Sequence, residues 1–387
     1  MKILICTGIY PPDIGGPAIY SNLIYEELKK RGHRVRILTY GDKRIMDCES
    51  RITNVGRKHS LPIRYSLYLL QVLKLGSDTD IIYVQDPVSV GLPTALANIF
   101  LRKKMILKIV GDYAWEQSQQ ISNYKLRITN LDDFYPFNGN HSFRIRLLRA
   151  IQSWVAARAH KIITPSFYLK NILTKGWGMA EDKIEVIYNS FDINNSLQFS
   201  RNYNNAAFKI LSVGRLVPWK GFEALIDIVR DIPNVELEII GDGPEKQNLE
   251  FRIRNSEWGS RVKMPGKLPH DEVVQKMCSS DLFILNTAYE GLSHVVLEAM
   301  ACGLPLAISR AGGNIELAGE NEERGYLFEY NNREQIKNKI NHIIAHHAES
   351  REKADRAEDF ICGFTKNKMI DNLERSLQSF NRAGDHS

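Results

Sequence analysis

What most constrains this chain is an alternation that occurs twice. In the first half "KILICTG", "RVRILTY", "DIIYVQD", "KMILKIVG" and "KIITPS" read as buried strands. In the second half "KILSVGR", "ELEIIGDG", "RVKMPG", "DLFILN" and "LPLAIS" repeat the scheme. Helical patterns lie between the runs. "AIYSNLIYEELKKRG" spaces its apolar residues helically and stops at Gly32; "WKGFEALIDIVRDI" and "DEVVQKMCSS" behave alike. Apolar strands alternating with helices form parallel sheets covered on both faces. The class is therefore α/β, with two parallel sheets wound on both faces.

Length agrees, because 387 residues exceed one ordinary domain. "DINNSLQFSRNYNNAAF", residues 192–208, is rich in Asn and Ser, lacks periodicity and reads as the linker. The expected domains are 1–195 and 206–365, with the helical, polar stretch 366–387 after them. No apolar run approaches the ~18 residues of a spanning helix. "MKILICTGIYPP" reads as a core strand and not as a signal peptide. Five scattered cysteines without a C-x-x-C point away from disulfides and zinc, and toward a reducing cytoplasm.

Charge is uneven. Residues 1–200 hold 27 Lys/Arg against 17 Asp/Glu, and residues 201–387 hold 24 against 28. The basic half either meets phosphates or an anionic membrane surface, or is a solvated surface that leans positive. "RYSLYLLQVLKLG" and "FRIRLLRAIQSWVAARAHK" mix Arg and Lys with Leu, Tyr and Trp, so they either lie on a membrane interface or pack on a sheet.

"AYEGLSHVVLEAM", residues 288–300, joins two strands and must be a crossover. Ser293 suits the N-cap, and Gly303 with Pro305 stops the helix. Glu290 then lies on the loop at a strand's carboxyl end, and Glu298 lies within the helix. Ligands of parallel sheets bind at such ends, where helix amino termini hold phosphates. Backbone N–H groups around Ser293–Val296 are placed to grip a phosphate. The two carboxylates make sense as acceptors for sugar hydroxyls on either side of it. Arg215 and Lys220 in "SVGRLVPWKGF" follow another strand and would neutralise a diphosphate without a metal.

These residues resemble the family 4 retaining glycosyltransferases. The E-x7-E pair Glu290/Glu298, "EAMACGLPLAIS" and "GGNIEL" carry the likeness, with "SVGRLVPWKGF", "IIGDGPE" and "PPDIGGPAIYSNLIYEELKKRGHRV" in the same order. The resemblance implies the GT-B fold, two Rossmann-like domains facing across a cleft, with a last helix (366–384) returning to the first domain. It implies that Arg215 and Lys220 hold the donor diphosphate, Glu290 the donor sugar and Glu298 the ribose. Gly15 and Gly16 would approach the phosphate and the transferred sugar; Gly241 and Gly266 would line the nucleoside pocket, with Lys267 nearby. The activity implied is transfer, with retention, of a hexose from a nucleotide-diphosphate sugar to a glycan or lipid-linked acceptor. Cell-surface polysaccharide assembly at the inner face of the membrane would follow, with no metal, no other cofactor and no nucleic acid.

The sequence departs from the family's pattern in two places. "LSHVV" stands where many relatives have "FGLV", so His294 either touches the phosphate or caps the helix. "KIVGDYAWE" stands where many relatives have a histidine. Asp112 there either bonds the sugar or acceptor hydroxyl, or caps the following helix, with Trp115 and Glu116 one turn on. Asp78–Asp80, "DTD", opens a strand at the wrong end for a metal motif and reads as turn chemistry. No G-x-G-x-x-G follows the first strand, which argues against a dinucleotide-dependent oxidoreductase. A nucleotide-sugar-binding protein of the same fold without turnover is the other alternative.

Overall fold

The computed structural model describes residues 1–13, 15–42, 51–121, 131–135, 141–190 and 207–379. Two compact units emerge. The first gathers Met1–Ser118, Asn138–Tyr188 and Asn367–Ser387; the second gathers Gln119–Phe137 and Asn189–Lys366. The second unit resumes at Asn189, ahead of the expected linker, and the Asn189 side chain hydrogen-bonds His294 of the same unit at 3.0 Å. Most of the linker itself, 191–206, lies outside the described residues. Leu131 and Phe134, expected in the first domain, are buried and belong to the second unit.

The first unit holds strands β1 (Lys2–Cys6), β2 (Arg34–Tyr40), β3 (Ile52–Val55), β4 (Ile81–Val84), β5 (Lys104–Lys108), β6 (Lys161–Thr164) and β7 (Ile184–Val186). They pair in parallel in the order β3-β2-β1-β4-β5-β6-β7. The second unit holds β8 (Phe208–Val213), β9 (Val235–Ile240), β10 (Val262–Gly266), β11 (Leu282–Leu285), β12 (Leu306–Ser309) and β13 (Tyr326–Phe328). Its parallel order, β10-β9-β8-β11-β12-β13, repeats the same winding. In each sheet the chain winds outward to one side, returns, and winds to the other. That reversal opens a crevice at the strands' carboxyl ends, between β1 and β4 and between β8 and β11.

One face of the first sheet packs Ile3, Ile5 and Ile106 against Ile24 and Leu28 of helix Gly16–Lys30. Ile370 and Leu373 of helix Lys366–Gln378 complete this core. Arg31 donates to Glu374 at 2.7 Å, and the His33 ring meets the same carboxylate at 2.8 Å. The last described helix is thus part of the first unit; residues 380–387 lie outside the described ones. Helices Leu61–Gly76, Gly91–Leu101 and Phe143–Arg158 pack side by side in the same unit. Asp78 pairs with Lys2, and Asp80 accepts the Lys2 amide at 2.7 Å, at the amino end of β4.

Candidate active site

The second sheet's crevice is where the chemistry converges. The loop after β8 carries Lys220 and the loop after β11 carries Glu290; Lys220 Nζ donates to Glu290 Oε1. Both side chains are about one-seventh exposed, at 14% and 15%. The loops that hold them are tied together. Asn286, fully buried at the end of β11, donates to the Gly221 carbonyl at 2.8 Å and to Asn331 Oδ1 at 2.7 Å. Ala288 N donates to the Trp219 carbonyl at 2.8 Å. Thr287 and Ser309 exchange hydrogen bonds of 2.9 and 2.6 Å beneath the Glu290 loop. Gly221 has φ +49°, and a Cβ there would run into the Asn286 amide. Only glycine meets both demands.

Arg215 sits on the same loop, exposed to solvent, and no carboxylate pairs with it among the described residues. Its backbone lies close on the loop after β9. Gly214 N donates to Ile240 O at 3.0 Å and Leu216 N to Asp242 O at 2.9 Å. A Cβ at Gly241 would strike the Gly214 carbonyl, so this glycine serves loop-on-loop packing. Gly241 N in turn donates to Gly266 O at 3.0 Å, placing Gly266 and the exposed Lys267 at the end of the neighbouring strand.

Helix His294–Ala301 begins beside Glu290. Ser293 occupies the N-cap position and is buried, but its side chain makes no cap hydrogen bond. Its expected capping by the hydroxyl is therefore corrected: backbone geometry alone starts the helix. His294 is exposed and bonds Asn189 through Nε2. Glu298 points toward His270, the first residue of helix His270–Cys278, with Nε2 and Oε1 3.1 Å apart. Burial raises the Glu298 carboxyl above its ordinary value, and His270 pulls it partly back.

Two family models cover the chain nearly end to end: "Glycosyltransferase Family 4" matches residues 14–195 and "Glycosyl transferases group 1" matches residues 194–359. The chain is a family 4 glycosyltransferase. An uncharacterized glycosyltransferase of Methanocaldococcus jannaschii is 27% identical over 380 residues, 96% of either chain. The lipopolysaccharide core biosynthesis glycosyltransferase LpsE of Rhizobium meliloti is 28% identical over 171 residues, 44% of this chain and 49% of LpsE. Among solved structures, Anabaena HepE in complex with UDP superposes with a TM-score of 0.77 at 21% identity, covering 98% of this chain and all of HepE. The architecture of this glycosyltransferase is thus GT-B.

The remaining expected residues of the glycosyltransferase lie in its first unit. Gly15 caps helix Gly16–Lys30 after β1, and its Cβ position would meet Ile9 Cδ1 at 2.9 Å. Gly16 has nothing within 4 Å of its Cβ position, so no protein atom demands glycine there. Asp112 is fully buried. Its carboxylate accepts from Trp115 N at 2.9 Å, from Gln152 Nε2 at 3.1 and 3.2 Å and from Trp177 Nε1 at 3.0 Å. Of its two expected roles, the geometry supplies the cap, extended into a buried network joining three segments of the unit. Sequence reasoning missed His270 and Asn286, since neither belongs to a spaced motif; each is identified only by what it touches.

Proposed function

We propose that this glycosyltransferase moves a sugar from a nucleotide-diphosphate sugar to a hydroxyl of a glycan or lipid-linked acceptor, with retention at the anomeric carbon. The observation that carries the reading is the Lys220–Glu290 contact at the second sheet's switch point, beside the amino end of helix His294–Ala301. A bound diphosphate takes over Lys220 and gains Arg215 and the backbone N–H groups of the first helical turn at Ser293–Val296. Glu290, released, accepts from hydroxyls of the donor sugar. Glu298 accepts from the ribose, and Gly241, Gly266 and Lys267 border the nucleoside. His294 lies within reach of the phosphate at the helix tip. The open space at Gly16 is given to a ligand phosphate or sugar.

The bond from the anomeric carbon to the phosphate oxygen breaks as the acceptor oxygen bonds that carbon from the same face. The acceptor proton passes to the departing phosphate. Charge grows on that phosphate, where two cations and a helix dipole already point, and this stabilises the transition state without a metal. HepE has been solved with UDP and with UDP-glucose, which supports a nucleotide-sugar donor. LpsE works in lipopolysaccharide core biosynthesis, which supports a surface glycan as acceptor. The site of action in this reading is the cytoplasmic face of the cell membrane, with the enzyme peripheral; among the described residues no helix is long and apolar enough to cross a bilayer.

The test is nucleotide release from a panel of nucleotide sugars, run beside a thermal-shift screen. One donor should both stabilise the protein and be turned over. Release should collapse in Glu290→Ala and Lys220→Ala while both variants stay folded. Stabilisation without release would instead assign a donor-binding protein that lacks turnover.

A further inference from the structure

We infer that the outer surface of helices Leu61–Gly76, Gly91–Leu101 and Phe143–Arg158 is a docking face for an anionic lipid bilayer. The inference rests on the peripheral-membrane reading above and assigns it a surface. The middle helix packs on both others, so the three form one layer. None of them contains an Asp or Glu. Lys74, Arg144, Arg146 and Arg158 are exposed on them, and exposed Arg102 follows the middle helix directly.

Apolar side chains stand out on the same layer. The described residues include twelve exposed large hydrophobics, and eight of them are Leu61, Ile63, Leu70, Leu96, Ile99, Phe100, Phe143 and Leu147. Single exposed apolar residues are ordinary, but such a concentration on one layer is not. Phe100 and Phe143 are 77% and 78% exposed. Rings and aliphatic tips among cations, with carboxylates left out, suit a boundary where tips enter the headgroup region and cations meet lipid phosphates. Charge also disfavours a second copy of the chain. An isologous dimer through this face would set arginine against arginine, with no helix carboxylate to compensate.

Flotation of the full chain with vesicles tests the assignment. One set is phosphatidylcholine alone; the other includes about one-third phosphatidylglycerol. Binding should require the anionic lipid and weaken with added salt. Arg144→Glu and Arg146→Glu should each reduce partitioning by about fivefold or more. Phe100→Ser combined with Phe143→Ser should weaken it at every salt concentration. Phe251→Ser, a change at a ring 69% exposed in the second unit, should leave it intact. Thermal stability and nucleotide release from soluble donor should be unchanged in all these variants. Equal binding to both vesicle types, or variants that bind like the parent, would overturn the proposal. So would absence of flotation with concentration-dependent dimerisation that Phe100→Ser abolishes. Absence of nucleotide release by the parent chain, with its vesicle binding intact, would instead sink the transferase reading alone.

Discussion

Lys220 and Glu290, 70 residues apart in sequence, form a mostly shielded ion pair where two loops of the second unit are stitched together. Each neutralises the other, and the pair occupies the switch-point crevice. A diphosphate that arrives there exchanges one anionic partner of Lys220 for another. The cation is therefore held in place, and its charge compensated, before the ligand binds.

Replacing either residue should affect turnover far more than folding. Lys220→Ala should lower kcat/KM by about 10²–10³-fold, the scale for losing one preorganised donor to developing charge. Its Tm should stay within about 5 °C of the parent, because the partner left behind retains access to water. Nucleotide-release kinetics with thermal denaturation measure both.

Two glycines should respond in opposite ways. Gly221→Ala meets a left-handed φ and the Asn286 amide, and should lose about 1–3 kcal/mol in denaturant unfolding. Gly16→Ala meets open space and starts a helix, so its stability should hold or rise by up to about 1 kcal/mol. A fall in turnover of Gly16→Ala, with stability intact, is the outcome expected if a ligand needs that space.

Asp112→Ala should cost about 2–4 kcal/mol, because it strands the Gln152 amide, the Trp177 indole and a helix amide without their acceptor. Asp112→Asn should cost less. The kcat of the folded fraction should remain near the parent value in both, which separates a cap from a group that touches substrate.

Glu298 gives a pH dependence of definite sign. Its ordinary value is 4.5, and burial raises it in the folded protein. Above 4.5 the unfolded chain sheds a proton that the folded chain keeps, so the group's contribution to stability falls as pH rises through its folded pKa. Glu298→Gln should lose that slope in denaturation measured across this range. The ionised carboxylate is the stronger acceptor, so donor KM should rise on acidification with an inflection above 4.5, and this inflection should vanish in Glu298→Gln.

The inner strands of both sheets are legible in the sequence because both their faces are buried, which leaves unbroken apolar runs. The strands that go unread are edges or very short. "ITNV" at β3 is mostly half-buried, and β7 and β13 have three residues each, too few for a period to register. At the site, Lys220 and Glu290 can be placed on the right loops from their positions after β8 and β11. Their contact cannot be read, because it depends on the Asn286–Asn331 and Thr287–Ser309 bonds between distant segments. Ser293 shows the converse. Residue type and position suggest a capping hydroxyl, yet the side chain makes no such bond. The Asp112 alternatives separate only when Gln152 and Trp177, 40 and 65 residues away, arrive at the same carboxylate.

Helix Lys366–Gln378 supplies Met369, Ile370, Leu373 and Leu377 to the core against which β1 also packs. The first unit is therefore split, with its closing piece following the whole of the second. During synthesis the early sheet must wait, one apolar flank uncovered, while well over a hundred further residues emerge. Shielding of that flank by cellular folding helpers, and harm from any premature stop before Lys366, are consequences of this chain order.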